Sequence, residues 1–366
     1  MVNNKQTIIY LISTLRNSGP VNQTYNLIKN LDRTQFNPVI ITLSKEPEDS
    51  KIDFFKTLDI SIHTINLSRI KGIFLLKNAI KKIVQNYNNP IIHSQGLRAD
   101  SINYQLKKYP MKITTIRNFP FDDYIMKFGA IKGFIMSIYH ISIIKKIKKR
   151  IACSKAISTL FNTVLHCKLD FINNSVDTDF FQASNDTEKI ALRKQYNLPI
   201  DAKIFIYTGQ IIKRKDLETL ISGFNAYNKT NALLLLVGDG SYFPIISKLK
   251  NDSIILTGKT TSVIDYLKLS DFFVSTSLSE GLPNSVLEAM SCNLPCLLSD
   301  IDAHMCLKTE SVLFFKTGSH EDLCQKLIKI DTLTHSDNRK FVIDNFSIQK
   351  MTDSYQKLYK NIQENI

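Results

Sequence analysis

Short apolar runs alternate with amphipathic segments along most of this chain, in the order typical of strands and helices that follow one another. Such alternation predicts an α/β fold, with doubly wound parallel sheets covered by helices on both faces. The predicted strands are 7–12, 38–43, 60–65, 90–94, 111–116 and the run from 151 in the first half, and 204–208, 233–237, 254–258, 271–275 and 312–315 in the second.

Apolar residues at helical spacing predict helices between these strands, among them 73–87, 99–107, 263–269, 285–292 and 321–328. A last helix, 348–362, carries Met351, Tyr355, Leu358 and Tyr359 as its apolar positions. A chain of 366 residues is longer than one hydrophobic core usually supports. The expected organisation is therefore two domains of about 170 to 190 residues each.

The most informative segment joins the predicted strand 271–275 to the helix that follows it. Pro283 suits the first helical turn, where its missing N–H costs nothing, and Asn284 or Ser285 would cap the amides there. The amides and the dipole of a helix start hold anionic groups such as a diphosphate. The helix start is thus a predicted anion site.

Two carboxylates flank this site: Glu280 on the exposed tip of the loop and Glu288 about one turn inside the helix. They would accept hydrogen bonds from sugar hydroxyls, so a nucleotide-sugar fits. Two glutamates at this spacing are common by chance, and alone they would be a loop residue and a solvated helix residue. The whole string Glu-Gly-Leu-Pro-Asn-Ser-Val-Leu-Glu-Ala-Met at 280–290, with Asn-Leu-Pro-Cys at 293–296, resembles the nucleotide-sugar loop of retaining glycosyltransferases of the GT4 type.

This resemblance spans essentially the whole chain and implies a GT-B fold, in which two Rossmann-like domains face a cleft and a final helix crosses back to the first domain. The family's domain junction resembles 171–177 here, with Ser175 in a glycine position. The expected division is an acceptor-binding domain 1–177, a nucleotide-sugar-binding domain 178–345 and a C-terminal helix 346–366.

The resemblance also assigns roles to single residues. Glu280 would be the catalytic residue and hold hydroxyls of the donor sugar, while Glu288 would bind the ribose. A lysine of the family that grips the diphosphate matches Lys215, whereas Gln210 stands in place of the family's arginine. The expected donor-binding residues are Lys215, Gln210, Gly209, Gly281, Leu282, Pro283, Asn284, Ser285, Glu288 and Gly19, the last in a glycine loop after the first strand.

Charge alone says less about the run Lys213-Arg214-Lys215, since three cations in a row are more often a solvated turn. Its position after strand 204–208 favours diphosphate binding instead. As the resemblance implies, Lys215 and the helix start would neutralise the leaving diphosphate without a metal. We expect no metal site and no cofactor besides the nucleotide-sugar, which is a co-substrate.

Polar groups also follow two predicted strands of the first half. His93 and Arg98 come at the end of 90–94, and Arg117 and Asn118 follow 111–116. Ligands bind at the C-terminal ends of parallel strands, so these four are expected contacts of the acceptor or the sugar. A single histidine at a strand end is nevertheless more often structural. Many relatives have a histidine where this chain has Arg117-Asn118, which favours contact of Arg117 with an anionic acceptor.

Charge separates the two halves of the chain. Residues 1–175 contain 26 Lys and Arg against 10 Asp and Glu, whereas residues 176–366 contain 21 against 23. Residues 124–169 have no acidic side chain, and a basic cluster at 145–150 closes an apolar run there. The first half is therefore expected to meet an anionic surface, and a membrane next to a lipid-linked or glycan acceptor suits it.

The remaining composition indicates a cytoplasmic protein. We expect no signal peptide at the N-terminus, and the longest uncharged apolar-rich stretch, 133–144, is shorter than the roughly 20 residues that span a bilayer. The six cysteines show no CxxC pair, so buried free thiols in a reducing compartment are expected. The expected location is the cytoplasm, peripheral on the inner face of the plasma membrane.

The sequence thus predicts a metal-independent hexosyltransferase that moves a sugar, with retention, from a nucleotide-sugar, expected to be a UDP-sugar, to a lipid-linked or polysaccharide acceptor in surface glycan biosynthesis. Three alternatives stay open. A glycosidase would use Glu280 and Glu288 as a carboxylate pair but leave the diphosphate features unused. A nucleic-acid binder would explain the charge, but the interleaved recognition motifs are lacking, so nucleic acid is not an expected partner. A sugar-nucleotide epimerase of similar build would turn over the donor without an acceptor.

Overall fold

The computed structural model of the chain describes residues 5–333 and 336–364. The chain forms two compact units. The first comprises Met1–Asn174 and Ile348–Ile366, and the second comprises Ser175–Ser347. The division lies within three residues of the boundaries expected from the sequence, which were 177 and 345.

A seven-stranded, wholly parallel sheet forms the centre of the first unit. Its strands follow the order β3-β2-β1-β4-β5-β6-β7, so the direction of winding reverses between β1 and β4. Nearly continuous apolar runs, such as Ile8 to Ile12, fit strands that are covered on both faces. The strands are β1 Gln6–Ile12, β2 Phe36–Thr42, β3 Ser61–Thr64, β4 Ile91–Ser94, β5 Lys112–Ile116, β6 Lys149–Ala152 and β7 Asp170–Phe171.

Helices cover both faces of this sheet. Alternate residues of β1 point to opposite faces: Ile8 packs in a cluster with α1, α2 and the C-terminal helix, and Ile9 packs in a cluster with α3 and α4. The helix α6 packs against α4 and lies in the same layer as α3. The helices are α1 Gly19–Asn30, α2 Ile52–Lys56, α3 Arg69–Val84, α4 Leu97–Gln105, α5 Pro120–Phe128, α6 Ala130–Ile144, α7 Lys155–Leu165 and the C-terminal α16 Ile348–Glu364.

The C-terminal helix α16 belongs to the first unit, which confirms the prediction that the chain crosses back. Its apolar face, with Met351, Tyr355, Tyr359 and Ile362 buried, packs into the same cluster as α1. The predicted face of this helix is thus correct, with Leu358 partly buried beside it.

The second unit has a six-stranded parallel sheet in the order β10-β9-β8-β11-β12-β13, and its winding reverses between β8 and β11. Its strands are β8 Lys203–Thr208, β9 Ala232–Val237, β10 Ile254–Gly258, β11 Phe272–Ser275, β12 Cys296–Ser299 and β13 Val312–Phe315. Its helices are α8 Asp186–Gln195, α9 Leu217–Tyr227, α10 Phe243–Ile246, α11 Val263–Leu269, α12 Asn284–Ser291, α13 Asp302–Met305, α14 His320–Ile330 and α15 Asn338–Phe346.

The charged helix α8 is the first helix of the second unit, and its start is capped by the Asn185 side chain, which accepts from the Glu188 amide. One expectation from the sequence is corrected by the fold. The described cysteines are all free, yet Cys306 is exposed and Cys324 is half-buried, so the expectation of six buried thiols holds for four. No helix within the described residues is long and apolar enough to cross a bilayer.

Candidate active site

Two loops meet where the winding of the second sheet reverses, which is the usual ligand position in such sheets. One loop follows β8 and forms a 3-10 turn, Lys213–Lys215. The other follows β11 and leads into α12. The Thr276 hydroxyl donates to the carbonyl oxygens of Lys215 and Asp216, at 2.9 Å each, and the Leu278 amide donates to the Arg214 carbonyl at 2.9 Å. These bonds fix the basic turn against the acidic loop.

A charged cluster occupies this junction. The Glu280 carboxylate pairs with the Lys215 ammonium through Oε1 and with the Arg214 guanidinium through Oε2, the latter at 2.8 Å. The Ser277 hydroxyl donates to Oε1 at 2.9 Å. The side chains of Glu280, Lys215 and Arg214 are only 7%, 11% and 16% exposed. The expectation that Glu280 sits on an exposed loop tip is therefore wrong, because its two cations draw it inward.

The cluster keeps Glu280 ionised. Burial by itself would favour the neutral acid, but Lys215 and Arg214 outweigh it and hold the pKa of Glu280 well below its usual range. Burial raises the pKa of the nearby Tyr207 phenol, and the negative charge of Glu280 raises it further. At neutral pH the site thus carries one buried anion and two cations, with an excess of positive charge.

Arg214 is a site residue that the sequence reading did not single out. Of the three cations in the turn, Lys213 is exposed, whereas Arg214 and Lys215 turn toward Glu280. Arg214 also donates to the carbonyl oxygen of Ser279, the residue before Glu280, so it holds the main chain of the acidic loop as well as its carboxylate. Its only sequence signal was its place in the basic run.

The start of α12 differs in detail from the prediction. Pro283 occupies the N-cap position with φ −77° and ψ 111°, so the helix begins at Asn284 and neither Asn284 nor Ser285 is the cap. Gly281 and Leu282 are buried before it, with the Leu282 side chain in the apolar core of the unit. Asn284, Ser285 and Glu288 are half-buried.

A glycine turn supports the loop after β8. The Gly209 amide donates to the Val237 carbonyl oxygen at 3.0 Å, and the Ile211 amide donates to that of Asp239 at 2.9 Å. Gly238 has φ +144°, and a Cβ there would collide with the Gly209 carbonyl oxygen. Position 238 therefore requires glycine, because only a residue without a side chain lets the two main-chain segments come this close. Gln210 is exposed, and its main-chain carbonyl oxygen accepts a hydrogen bond from the Tyr207 hydroxyl at 2.9 Å.

A buried histidine lies beyond the cluster. The Ser299 hydroxyl donates to the Ser277 carbonyl oxygen at 2.6 Å, and His304 Nδ1 lies 2.9 Å from the Ser299 carbonyl oxygen. Burial lowers the pKa of His304 to about 4, while the Glu280 charge opposes that shift. Among the described residues, its Nε2 is a buried atom with no hydrogen-bond partner. Nothing in the sequence near 304 signalled this position.

His93 is fastened inside the first unit. Its Nδ1 lies 2.8 Å from the Tyr359 hydroxyl of α16, and its Nε2 lies 2.7 Å from the Thr115 hydroxyl. Burial, assisted by the Arg117 charge, lowers its pKa to about 3, so the ring is neutral. Both nitrogens are bonded within the protein, which is the structural role that a histidine at a strand end more often has. Its contact with a sugar stays a prediction that this geometry does not favour.

The other predicted acceptor residues lie at the carboxyl edge of the first sheet. Arg117 donates to the Gln95 side chain at 3.2 Å and to that of Asn174 at 2.6 Å. Arg98 donates to the Ser44 hydroxyl and to two main-chain carbonyl oxygens after β3. Asn118 donates to Asp123 at 3.4 Å. Gly19 is the first residue of α1.

Within residues 5–333 and 336–364, no three His, Cys, Asp or Glu side chains form a group that could hold a metal ion. Arg214 and Lys215 supply the positive charge beside Glu280.

Known proteins resemble this chain in sequence. Residues 202–331 match the family described as glycosyl transferases group 1. The O-antigen biosynthesis glycosyltransferase WclY of Escherichia coli is 24% identical, with 97% of this chain and 98% of WclY aligned. The UDP-Gal:alpha-D-GlcNAc-diphosphoundecaprenol alpha-1,3-galactosyltransferase of E. coli is 23% identical over 80% of this chain and 81% of its own length.

A solved structure resembles it in fold. Anabaena HepE in complex with UDP-glucose superposes with a TM-score of 0.83 at 13% identity, covering 97% of this chain and 99% of HepE. The predicted fold class is confirmed, and it is GT-B. Together with the sequence matches, these findings make the chain a glycosyltransferase, and its residues 202–331 match the glycosyl transferases group 1 family.

Proposed function

We propose that this glycosyltransferase moves a hexose from a nucleotide-sugar to a lipid-linked or polysaccharide acceptor of a surface glycan. The observation that carries the proposal is the buried cluster of Glu280, Lys215 and Arg214 at the winding reversal of the second sheet. This cluster combines positive charge for a diphosphate with an ionised acceptor for sugar hydroxyls.

The two cations would stabilise the leaving group, which is the diphosphate of the donor. Two cations and one carboxylate leave the cluster with one net positive charge, which attracts a diphosphate. Charge that develops on the departing diphosphate would be stabilised by Lys215, Arg214 and the start of α12, all fixed before the reaction. Because the protein itself supplies this charge, we propose a reaction without a metal ion or a further cofactor.

Glu280 accounts for the sugar. Its Oε1 accepts from Lys215 and Ser277, while its Oε2 accepts from Arg214. A carboxylate oxygen has two lone pairs, so Oε2 has capacity for a hydroxyl of the donor sugar. In this arrangement Glu280 positions the sugar's reacting carbon, and Glu288, one turn inside α12, takes the ribose hydroxyls.

The donor and the stereochemistry are proposed from the relatives. One relative has UDP-Gal in its name, and HepE was solved with UDP-glucose, which favours a UDP-sugar here. Retention of the anomeric configuration rests on the resemblance of 280–290 to retaining enzymes of the GT4 type. Proton NMR of the product, through the anomeric coupling constant, tests retention directly.

The pathway and location are proposed in the same way. WclY is named for O-antigen biosynthesis and another relative for a diphosphoundecaprenol-linked acceptor, so a surface glycan is the proposed product. Such an acceptor lies at a membrane, and residues 1–175 carry an excess of cations. Each cation near an anionic surface adds about 1 kcal/mol of attraction. We therefore place the enzyme in the cytoplasm, at the inner face of the plasma membrane, with the acceptor on the first unit.

Calorimetric titration with UDP-, GDP- and ADP-sugars tests the donor site, using Lys215→Ala and Glu288→Ala as variants. We expect one nucleotide class to bind, with affinity reduced at least tenfold in both variants, since each loses a ligand contact worth about 1.4 kcal/mol or more. Melting curves of the variants show whether they are folded.

Each result has a defined meaning. If neither the parent protein nor its folded variants bind any of these nucleotide-sugars, the proposed donor site is refuted. Turnover of the nucleotide-sugar in the absence of any acceptor would point to an epimerase instead.

A further inference from the structure

The helix α6, Ala130–Ile144, exposes a stripe of large apolar side chains, although the isoleucines near its C-terminal end are buried. Five large side chains at helical spacing are 50% to 81% exposed. An ordinary surface helix shows the reverse pattern, with its apolar stripe facing the core. These exposed residues are Ile131, Phe134, Ile135, Ile138 and Tyr139.

Polar contacts fix this orientation on the buried side of the helix. The Ser137 hydroxyl donates to the Pro120 carbonyl oxygen at 2.9 Å, and His140 Nε2 lies 2.7 Å from the buried Asp100 carboxylate. The Tyr124 hydroxyl lies 2.8 Å from the other ring nitrogen of His140. A Cβ at Gly133 would collide with the main chain of α5. Rotation that buries the apolar stripe would break these contacts, so the stripe is held outward.

A second apolar stripe lies in the same helix layer. On α3, the side chains of Ile70, Ile73, Phe74 and Leu75 are 51% to 75% exposed. Both α3 and α6 pack against α4, on one side of the first sheet. Exposed apolar surface of this extent marks a contact with an apolar partner.

The charge around α6 identifies the partner. Residues 124–169 contain nine Lys and Arg and no acidic side chain. After the C-terminal end of α6, a cavity of about 530 Å³ is lined by Lys148, Lys149, Arg150 and Lys168, with Ser158 and Asn162 beside them and Asp170 as its single acid. Cations and hydroxyl groups around a cavity suit a phosphate group.

We propose that the outer stripes of α3 and α6 insert into the interface of a bilayer that contains anionic phospholipids, with lipid phosphates at the cavity behind Lys148. Fifteen residues of helix span about 22 Å, less than the roughly 30 Å of a hydrocarbon core, so α6 lies in the plane of the interface. This inference deepens the membrane association of the proposed function and rests on it for its biological use.

The absence of tryptophan from the chain permits a direct test. In Phe134→Trp, a single tryptophan reports on α6. Its emission should shift to the blue on vesicles of phosphatidylglycerol and phosphatidylcholine, and brominated lipids should quench it. The matched control is Phe54→Trp, since Phe54 is 60% exposed on α2, in the opposite helix layer. The control should show neither effect.

Charge variants separate the parts of the surface. Ile135→Glu should lower vesicle binding at least tenfold, and Lys148→Gln with Lys149→Gln should reduce the preference for anionic over purely zwitterionic vesicles. Melting temperatures near that of the parent protein show that these variants fold.

Several results would overturn the proposal. They are an unshifted Phe134→Trp spectrum, an equal shift in the control, or a blue shift without vesicles that grows with protein concentration, which would indicate a second copy of the chain. Donor titration of Phe134→Trp keeps the two hypotheses apart. If Phe134→Trp binds the nucleotide-sugar but does not insert into vesicles, this inference alone is refuted, and if it inserts but does not bind the donor, the proposed function alone is refuted.

Discussion

At the scale of single residues, the site depends on which of three adjacent cations turn inward. Lys213 is exposed, while Arg214 and Lys215 share the Glu280 carboxylate. Buried pairs of this kind are costly to break, because the remaining partner is left with an uncompensated charge. The charge of Arg214 therefore supports both the diphosphate and the ionised state of Glu280.

We predict that Arg214→Met weakens nucleotide-sugar binding at least tenfold, since it removes one diphosphate contact and loosens Glu280. Lys213→Met removes the same charge from an exposed position and should change the affinity less than about threefold. Calorimetric titration of both variants measures the difference. Equal losses would mean that the basic turn acts through its total charge alone.

At the scale of elements, the C-terminal helix is fastened by buried hydroxyl groups. The Tyr359 hydroxyl lies 2.8 Å from His93 Nδ1 and 3.1 Å from the Tyr10 hydroxyl, and the Tyr355 hydroxyl lies 3.0 Å from that of Thr115. These bonds join α16 to β1, β4 and β5 across the whole length of the sequence. His93 thus has a structural function in holding the last helix.

This arrangement predicts a dependence of stability on pH. The pKa of His93 is about 3 in the folded protein, against 6.5 ordinarily, so the unfolded chain binds a proton that the folded chain excludes. The stability that the lowered pKa of His93 contributes is complete above pH 6.5 and is lost as the pH falls toward 3. Each pKa unit of the shift corresponds to up to about 1.4 kcal/mol. The melting temperature measured by calorimetry should fall less steeply between about pH 7 and about pH 4 for His93→Gln than for the parent protein.

His304 provides the control for this experiment, since its pKa is also lowered but it lies in the second unit. His304→Gln should leave the acid sensitivity of the first unit's transition unchanged. Identical pH slopes for the parent protein and His93→Gln would contradict the assigned role of His93.

At the scale of the molecule, charge divides the two units. The cations of residues 1–175 are mostly surface groups, whereas those of the donor site are buried with Glu280. Salt screens exposed charges much more than buried ones. Membrane association and donor binding should therefore respond differently to ionic strength.

We predict that binding to anionic vesicles falls at least tenfold between about 0.1 M and about 1 M salt, where the screening length shortens from about 10 Å to about 3 Å. Nucleotide-sugar affinity should change several-fold less over the same range. Vesicle sedimentation and calorimetry at matched salt concentrations test this. Equal salt dependence would place the donor-site cations in solvent.

The sequence predicted most of the fold because parallel strands that are buried on both faces consist of continuous runs of apolar residues. The bounds of β10, α11 and β13 are the predicted ones. The sequence showed an apolar run with a basic cluster after it where α6 lies, but which face of this helix is outward depends on Asp100 and Pro120, which belong to other elements. Periodicity within one segment does not contain that information.

The sequence by itself determined the two parallel sheets and the family motif at 280–290, because each is encoded in neighbouring residues, and the resemblance to the family implied the crossing of the last helix. Tertiary structure alone decided the inward turn of Arg214, the burial of Glu280 and the structural role of His93. These depend on loops 65 residues apart for Lys215 and Glu280, and on partners 266 residues apart for His93 and Tyr359. The physical reason is that burial and charge pairing are set by what packs around a side chain, which local sequence does not specify.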